Sequence, residues 1–285
     1  MTDNLSKLPS PALPQLAPRA ADSHKGDYGS ALLIGGSRGM AGAIALAGLA
    51  ALRGGAGLVR LAVPDRCLES VAAHSPCFMT IPLADDPQGK ISGDAWAALS
   101  EYIAKAACVA VGPGLGQSRD LQQLLQQIVR HARCPLVIDA DGLNNLADVQ
   151  GWSVQRAGPT VITPHPGEWS RLCGVPASDR AAQCAAAVAC ARDSGIVVVL
   201  KGSQTLITDG HTAVFNHTGT PAMATGGSGD VLTGLLTALI CQKMSTRDAA
   251  HLAVHAHGQA GQLAQQASGA HVVLPTDLIA HFQCR

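Results

Sequence analysis

Thr225-Gly226-Gly227-Ser228-Gly229-Asp230 runs without a break into the apolar segment Val231-Leu232-Thr233-Gly234-Leu235-Leu236. Consecutive glycines ahead of an apolar helix leave its first N–H groups open. Those donors, with the positive end of the helix dipole, suit a phosphate or a developing oxyanion. Asp230 falls in the first turn of a helix predicted over 229–241. A carboxylate there is a poor phosphate binder but a good base for a hydroxyl that must attack phosphorus. An aspartate that only caps a helix after a flexible loop leaves the same local pattern, so the surrounding sequence has to decide. No Gly-Lys-Ser/Thr follows at the spacing of a Walker loop.

Working outward from this stretch, short β-branched runs alternate with alanine-rich segments of helical length. Strands are predicted over 31–34, 59–63, 108–111, 136–138, 161–162 and 196–200, and helices over 42–53, 120–131, 180–194, 229–241 and 247–266. That alternation marks parallel β-α units, whose strand ends carry the ligands. Residues 206–208 and 213–215 flank Asp209-Gly210-His211-Thr212 and read as a hairpin. The expected fold class is α/β: a three-layer α/β/α sandwich with a mainly parallel central sheet and an antiparallel edge hairpin. Residues 1–23, with Pro9, Pro11, Pro14 and Pro18, read as an irregular N-terminal arm, and 24–285 as a single domain.

Composition narrows the function. The 20 basic and 20 acidic residues cancel, so no broad positive field is available for nucleic acid or an anionic membrane. Charged residues are only 14% and hydrophobic ones 47%, which excludes disorder. The apolar run 40–52 is interrupted by Arg53, short of the ~20 residues a bilayer requires. With no signal-peptide layout and 9 scattered cysteines lacking any C-x-x-C pair, the expectation is a cytoplasmic protein with reduced thiols.

The strand ends hold the remaining chemistry. Gly112-Pro113-Gly114-Leu115-Gly116 has the wrong spacing for a dinucleotide fingerprint and reads as a substrate-facing loop, as does Gly35-Gly36-Ser37-Arg38-Gly39. Asp139-Ala140-Asp141-Gly142-Leu143-Asn144 and Thr163-Pro164-His165-Pro166-Gly167-Glu168 end two further strands. Asp139 and Glu168 are candidates for contact with a metal, through water for Mg²⁺, or with substrate. Asx-turn capping is the alternative for Asp139 and Asp141. His165 is read as a ligand contact, because flanking prolines make it an expensive ordinary turn. Lys201-Gly202-Ser203-Gln204-Thr205 offers a cation and hydroxyls to nucleotide phosphates or ribose. His251 and His255 stand one helical turn apart, but the glutamate of H-E-x-x-H is absent, so His251, His255 and His257 read as a helix face beside the active layer.

Taken in order, His24-Lys25-Gly26-Asp27-Tyr28-Gly29, Gly112–Gly116, 139–144, 163–168, 201–205 and 225–230 resemble the ADP-dependent NAD(P)H-hydrate dehydratases of the ribokinase-like fold, over about His24 to Leu278. The resemblance implies repair of NADHX and NADPHX, nicotinamide dinucleotides hydrated at ring carbon C6. The S epimer would be dehydrated to NADH or NADPH while ADP is split to AMP and phosphate, with Mg²⁺. It implies Asp230 as the catalytic residue at the hydrated ring, Gly226, Gly227, Ser228 and Gly229 as the anion hole, and Lys201, Gly202, Ser203, Gln204, Thr205 and Gly229 around the nucleotide. Ala43, Gly114, Gly116, His165 and Asp230 would line the substrate pocket, with Asp139, Asn144 and Glu168 at or behind a metal site. A homotetramer is implied as well.

Bifunctional relatives carry an epimerase domain in front, whereas 23 residues precede His24 here, so the resemblance is to a standalone dehydratase served by a separate epimerase. Sugar kinases of this fold carry Asp-Thr before Gly-x-Gly-Asp, whereas this chain has Ala224-Thr225-Gly226-Gly227. The alternative reading is an ATP-dependent kinase of a small hydroxyalkyl heterocycle, a vitamin precursor. A non-catalytic nucleotide sensor would need the glycine loop but not Asp230.

Overall fold

The structure, a computed structural model, describes residues 8–283. Nine strands form one sheet: β1 (Ser30–Ile34), β2 (Leu58–Pro64), β3 (Met79–Leu83), β4 (Cys108–Val111), β5 (Leu136–Ile138), β6 (Thr160–Ile162), β7 (Val197–Leu200), β8 (Leu206–Thr208) and β9 (Ala213–Phe215). Their order is β3-β2-β1-β4-β5-β6-β7-β8-β9, parallel through β7, with β8 and β9 antiparallel as the edge hairpin. After β3 the chain returns to the opposite side of β1 to form β4. The ends of β1 and β4 therefore make the topological switch point, where open α/β sheets accept ligands.

The helices are α1 (Ala41–Arg53), α2 (Leu68–Ala72), α3 (Trp96–Lys105), α4 (Arg119–His131), α5 (Asp141–Leu146), α6 (Pro166–Cys173), α7 (Arg180–Ser194), α8 (Ser228–Cys241), α9 (Thr246–Ser268) and α10 (Pro275–Ala280). Alternate residues of each central strand point to opposite faces. Leu32, Ile34, Val109 and Val111 pack with Leu99, Leu125 and Ala187 of α3, α4 and α7. Ala31, Leu33, Cys108 and Ala110 pack with Ile44, Leu235 and Ala253 of α1, α8 and α9. Burial on both faces explains why these strands read as continuous apolar runs.

α8 is buried almost all round between α1 and α9. Small residues permit this: a side chain at Gly234 would collide with the Ala47 carbonyl of α1. Leu232, Leu235, Leu236 and Leu239 of α8 are each fully or nearly buried, worth roughly 1.5–3 kcal/mol apiece. The helix that carries Asp230 is thus held rigidly by its C-terminal turns while its first turn faces the strand ends.

The predicted α1, α4, α8 and α9 begin one residue late, and β3, α2, α3, α5, α6 and α10 go unread. α3 shows its buried Leu99 and Ile103 one turn apart, but small and polar residues between them dilute the pattern. β3 is an edge strand containing Pro82 and so lacks the branched, alternating run of a central strand. Residues 8–23 form no helix or strand. Pro9 nevertheless accepts a hydrogen bond from the Ala213 N–H of β9 at 3.1 Å, and the Arg19 guanidinium lies 3.7 Å over the Tyr28 ring. The eight described cysteines are free, Cys284 lies outside the described residues, and among the described residues no helix is long and apolar enough to cross a membrane.

Candidate active site

The loop ahead of α8 turns through Gly227, which has φ of 94°. A side chain there would meet Leu46 at 2.6 Å and Pro275 at 2.9 Å, besides occupying the left-handed region. The first intrahelical bond runs from Val231 N–H to the Gly227 carbonyl. Among the described residues, the N–H groups of Gly226, Gly227, Gly229 and Asp230 have no backbone acceptor, whereas that of Ser228 turns back to the Thr225 carbonyl at 3.4 Å. Of the predicted anion hole, the three glycines thus keep free donors at a helix N-terminus and Ser228 does not. His257 of α9, expected on a helix face beside the active layer, fixes the loop from outside: this half-buried residue places Nε2 3.0 Å from the Ser228 carbonyl. Burial first, then the Lys201 charge, lower its pKa to about 4, so the ring is neutral and donates its Nε2 proton.

Opposite this loop, the ends of β5, β6 and β7 bring together residues far apart in sequence. Asp139 is 1% exposed. Its Oδ1 accepts from Lys201 Nζ at 2.8 Å, and its Oδ2 accepts from Thr233 Oγ1 at 2.6 Å. Thr233, three residues beyond Asp230 on α8, is a residue that the sequence reading missed. Burial alone would raise the Asp139 pKa, but Lys201 and the hydrogen bonds outweigh it and hold it below the ordinary carboxylate range. Lys201 Nζ also lies 3.8 Å from Glu168 Oε2. Burial would lower the lysine's pKa, yet Asp139, Glu168 and Asp230 together raise it. Asp230 differs from its neighbours. Desolvation, reinforced by Asp139 and opposed by Lys201, raises its pKa to about 7. A carboxylate of that pKa exchanges protons near neutrality, as a general base must.

Ala140, at φ of 49°, separates Asp139 from Asp141 and sends their carboxylates to different tasks. Asp141 Oδ2 accepts from Gly116 N–H at 2.9 Å, and Asn145, another residue not anticipated, donates to the Gly116 carbonyl at 2.8 Å. Asn144 bridges Asp141 Oδ1 and Arg171. Ser37 Oγ donates to the Gly114 carbonyl at 2.8 Å, which ties the loops after β1 and β4 together. A side chain at Gly114 would meet the Ala43 methyl at 3.0 Å, so these two predicted substrate residues lie side by side.

His165, read as a ligand contact, also has a local structural task. His165 caps α6: its Nδ1 accepts from Gly167 and Glu168 N–H at 3.0 and 3.3 Å, while Glu168 Oε2 accepts from His165 N–H at 2.7 Å. This is a capping box with Pro166 at the first helical position. Burial, then Lys201 and Arg171, lower the pKa of His165, in keeping with an acceptor Nδ1. The half-exposed ring still borders a cleft of about 700 Å³ together with Lys201, Gly202, Ser203, Thr205 and Gly229. Asp230 and Gln204 are not on its wall. The Gln204 carbonyl instead accepts from Arg180, which also binds the Leu200 and Lys201 carbonyls and shapes the 201–205 loop. Lys201, expected to meet nucleotide phosphate, is first the partner of Asp139, with its Nζ at the edge of the cleft.

Unpaired glycine N–H groups and Asp230 thus stand between a nucleotide-sized cleft and the switch-point loops. A family model described as NAD(P)H-hydrate dehydratase matches residues 31–283, the span that contains every one of these elements. The chain belongs to the NAD(P)H-hydrate dehydratase family. The bifunctional NAD(P)H-hydrate repair enzyme Nnr of Moorella thermoacetica is 41% identical over 268 residues, 93% of this chain and 50% of the relative. The Escherichia coli enzyme of the same name is 39% identical over 273 residues, 94% of this chain and 49% of the relative. The chain spans about half the length of these curated relatives. Among solved structures, the Bacillus subtilis ADP/ATP-dependent NAD(P)H-hydrate dehydratase co-crystallized with ATP/Mg²⁺ is 32% identical with a TM-score of 0.79, covering 93% of this chain and 91% of that one. The sheet order and edge hairpin are those of the ribokinase-like α/β fold.

Proposed function

We propose that the chain dehydrates the S epimer of NADHX and NADPHX to NADH and NADPH, consuming ADP and releasing AMP and phosphate. The observation that carries this reading is Asp230, its pKa raised to about 7 by burial, in the first turn of α8 beside the unpaired N–H groups of Gly226, Gly227 and Gly229. Asp230 takes the proton of the C6 hydroxyl as its oxygen attacks the terminal phosphoryl of ADP. The new O–P bond forms as the bond to AMP breaks. The three glycine N–H groups stabilise the charge on the transferring group. Phosphate then leaves C6 with the bonding pair, a proton leaves C5, and the ring double bond returns. Lys201 and Asp139 act on this step through Asp230, setting its proton affinity.

The donor set bears on the metal the family implies. Both oxygens of Asp139 accept from protein donors, and those of Glu168 face His165. Among the described residues no group of three His, Cys, Asp or Glu side chains could cage an ion. Asp139 and Glu168 would therefore hold an Mg²⁺ through water, beside the nucleotide phosphates. When bound, Mg²⁺ neutralises phosphate charge. The reading further takes the enzyme as a cytoplasmic homotetramer, on the family resemblance.

The test is recovery of nicotinamide absorbance from purified S-NADHX with Mg²⁺ and ADP, ATP or no nucleotide. Recovery with ADP, matched mole for mole by phosphate release, is the expected result. No recovery from folded protein with either nucleotide would sink the dehydratase reading and leave a small-alcohol kinase in its place.

A further inference from the structure

A second cleft, of about 640 Å³, lies at the ends of β1 and β2 and has Arg38, Gly39, Ala41, Asp65, Arg66 and Asp85 among its walls. It adjoins the switch-point loops through a continuous run of contacts. Gly227 of the anion-hole loop touches Leu46 of α1, Ala43 lies one turn earlier against Gly114, and Gly39 and Ala41 open the cleft at the start of the same helix. On the far side, the turn at Gly89 is clasped by both arginines. A side chain there would lie 2.6 Å from Arg38 Cβ and 3.0 Å from Arg66 Cδ, and the Gly89 carbonyl accepts from Arg38 N–H at 2.9 Å. The next residue, Lys90, lays its stem across Gly116 and donates to the Gln117 carbonyl at 2.9 Å.

The charges in this cleft are not equally free. Arg66 is a fixed wall, donating from Nε to Asp85 Oδ2 at 2.6 Å and from Nη2 to Asp85 Oδ1 at 3.3 Å. That fork neutralises Asp85. Among the described residues the Arg38 guanidinium has no hydrogen-bond or ion-pair partner, although it stands exposed beside this walled site. Asp65 is the remaining carboxylate of the wall. A planar guanidinium left unpaired at a cleft matches phosphate oxygens.

Resting on the dehydratase reading, we infer that this second cleft takes the phosphate-bearing distal half of the dinucleotide, with Arg38 as the residue that reads its phosphate. The nicotinamide end lies by Asp230, and the remainder of the molecule follows α1 outward past Ala43 and Gly114. The phosphate met by Arg38 belongs either to the central diphosphate or to the ribose 2′-phosphate that separates the NADP from the NAD form.

The deciding experiment does not depend on turnover. NADPH, NADH and reduced nicotinamide mononucleotide, which lacks the distal half, are titrated into wild type, Arg38→Ala and Arg38→Lys, and nicotinamide fluorescence is followed. Arg38→Ala is expected to weaken NADPH binding about tenfold, with Arg38→Lys between it and wild type. Weakening confined to NADPH assigns the 2′-phosphate, and equal weakening of NADH and NADPH assigns the diphosphate. Either result supports the inference. Unchanged Kd for both dinucleotides, or the same change for the mononucleotide, would overturn it. Because binding is read apart from the dehydration assay, failure here leaves the reading of Asp230 standing, and failure of the assay leaves this test intact.

Discussion

At the end of β5, Asp139 is sealed between Lys201 and Thr233 and stays ionised below the ordinary carboxylate range. At the start of α8, Asp230 feels the same lysine but accepts none of its hydrogen bonds, and burial carries its pKa to about 7. Two carboxylates in one field are thereby set apart, one ionised far below neutrality and the other titrating near it. The difference lies in who owns the lysine. Asp139 holds Lys201 in place, and its own negative charge then raises the proton affinity of Asp230. A structural ion pair and the proposed base are thus coupled through one lysine.

The largest effect expected from breaking this pairing is on activity. Asp230→Asn should lower kcat about 10²- to 10⁴-fold, read as NADH recovery from NADHX. Loss of less than tenfold would remove Asp230 from the role of base. Because the folded pKa of Asp230 is raised, its ionisation opposes folding as pH climbs from the ordinary carboxylate range through about 7. The same variant should therefore gain on the order of 4 kcal/mol in urea unfolding at pH 8 and almost nothing near pH 4. In wild type, kcat/KM should rise with unit slope to a plateau above pH about 7.

Lys201→Met sharpens the comparison from the other side. Leaving Asp139 and Glu168 buried without their cation should cost about 3–5 kcal/mol at pH 7. It should also move the rise of kcat/KM to higher pH, since Lys201 opposes the upward shift of Asp230. An unmoved pH profile would uncouple the two carboxylates. Thr233→Val removes one donor from ionised Asp139 and should cost about 1–2 kcal/mol near neutrality. That contribution is present above the ordinary Asp pKa and is lost as pH falls through the depressed one, so the cost should shrink in acid. The smallest effect belongs to His257→Phe, which frees the Ser228 carbonyl. About 1 kcal/mol, or roughly fivefold in the nucleotide KM, is expected in initial-rate assays.

Much of this was legible in the sequence because it is local. Consecutive glycines, a following apolar run and an aspartate in the first turn imply α8 and its open donors. Strands buried on both faces read as uninterrupted branched runs. What escaped depends on distance or on side-chain direction. The Lys201–Asp139 pair spans 62 residues, and no local pattern announces which carboxylate a strand-end lysine will meet. Arg38 and Arg66 converge only because β1 and β2 are neighbours in the sheet. The capping role of His165 escaped for a different reason: His165-Pro166-Gly167-Glu168 is a capping box in which the imidazole does the work usually given to a hydroxyl. Prolines at either side looked like the walls of a ligand loop, and one of them is simply the first residue of α6.

The two outermost strands have a bearing on how copies of this chain can meet. An open sheet ends in unpaired N–H and C=O groups that invite another strand. At β3, Pro82 has no N–H to offer, and at β9 the Ala213 N–H is already taken by the Pro9 carbonyl of the arm. A proline blunts each border at one position, through a missing donor at β3 and a supplied acceptor at β9. Shortening the arm would reopen one border, and the first sign would be intermolecular β-structure growing with protein concentration.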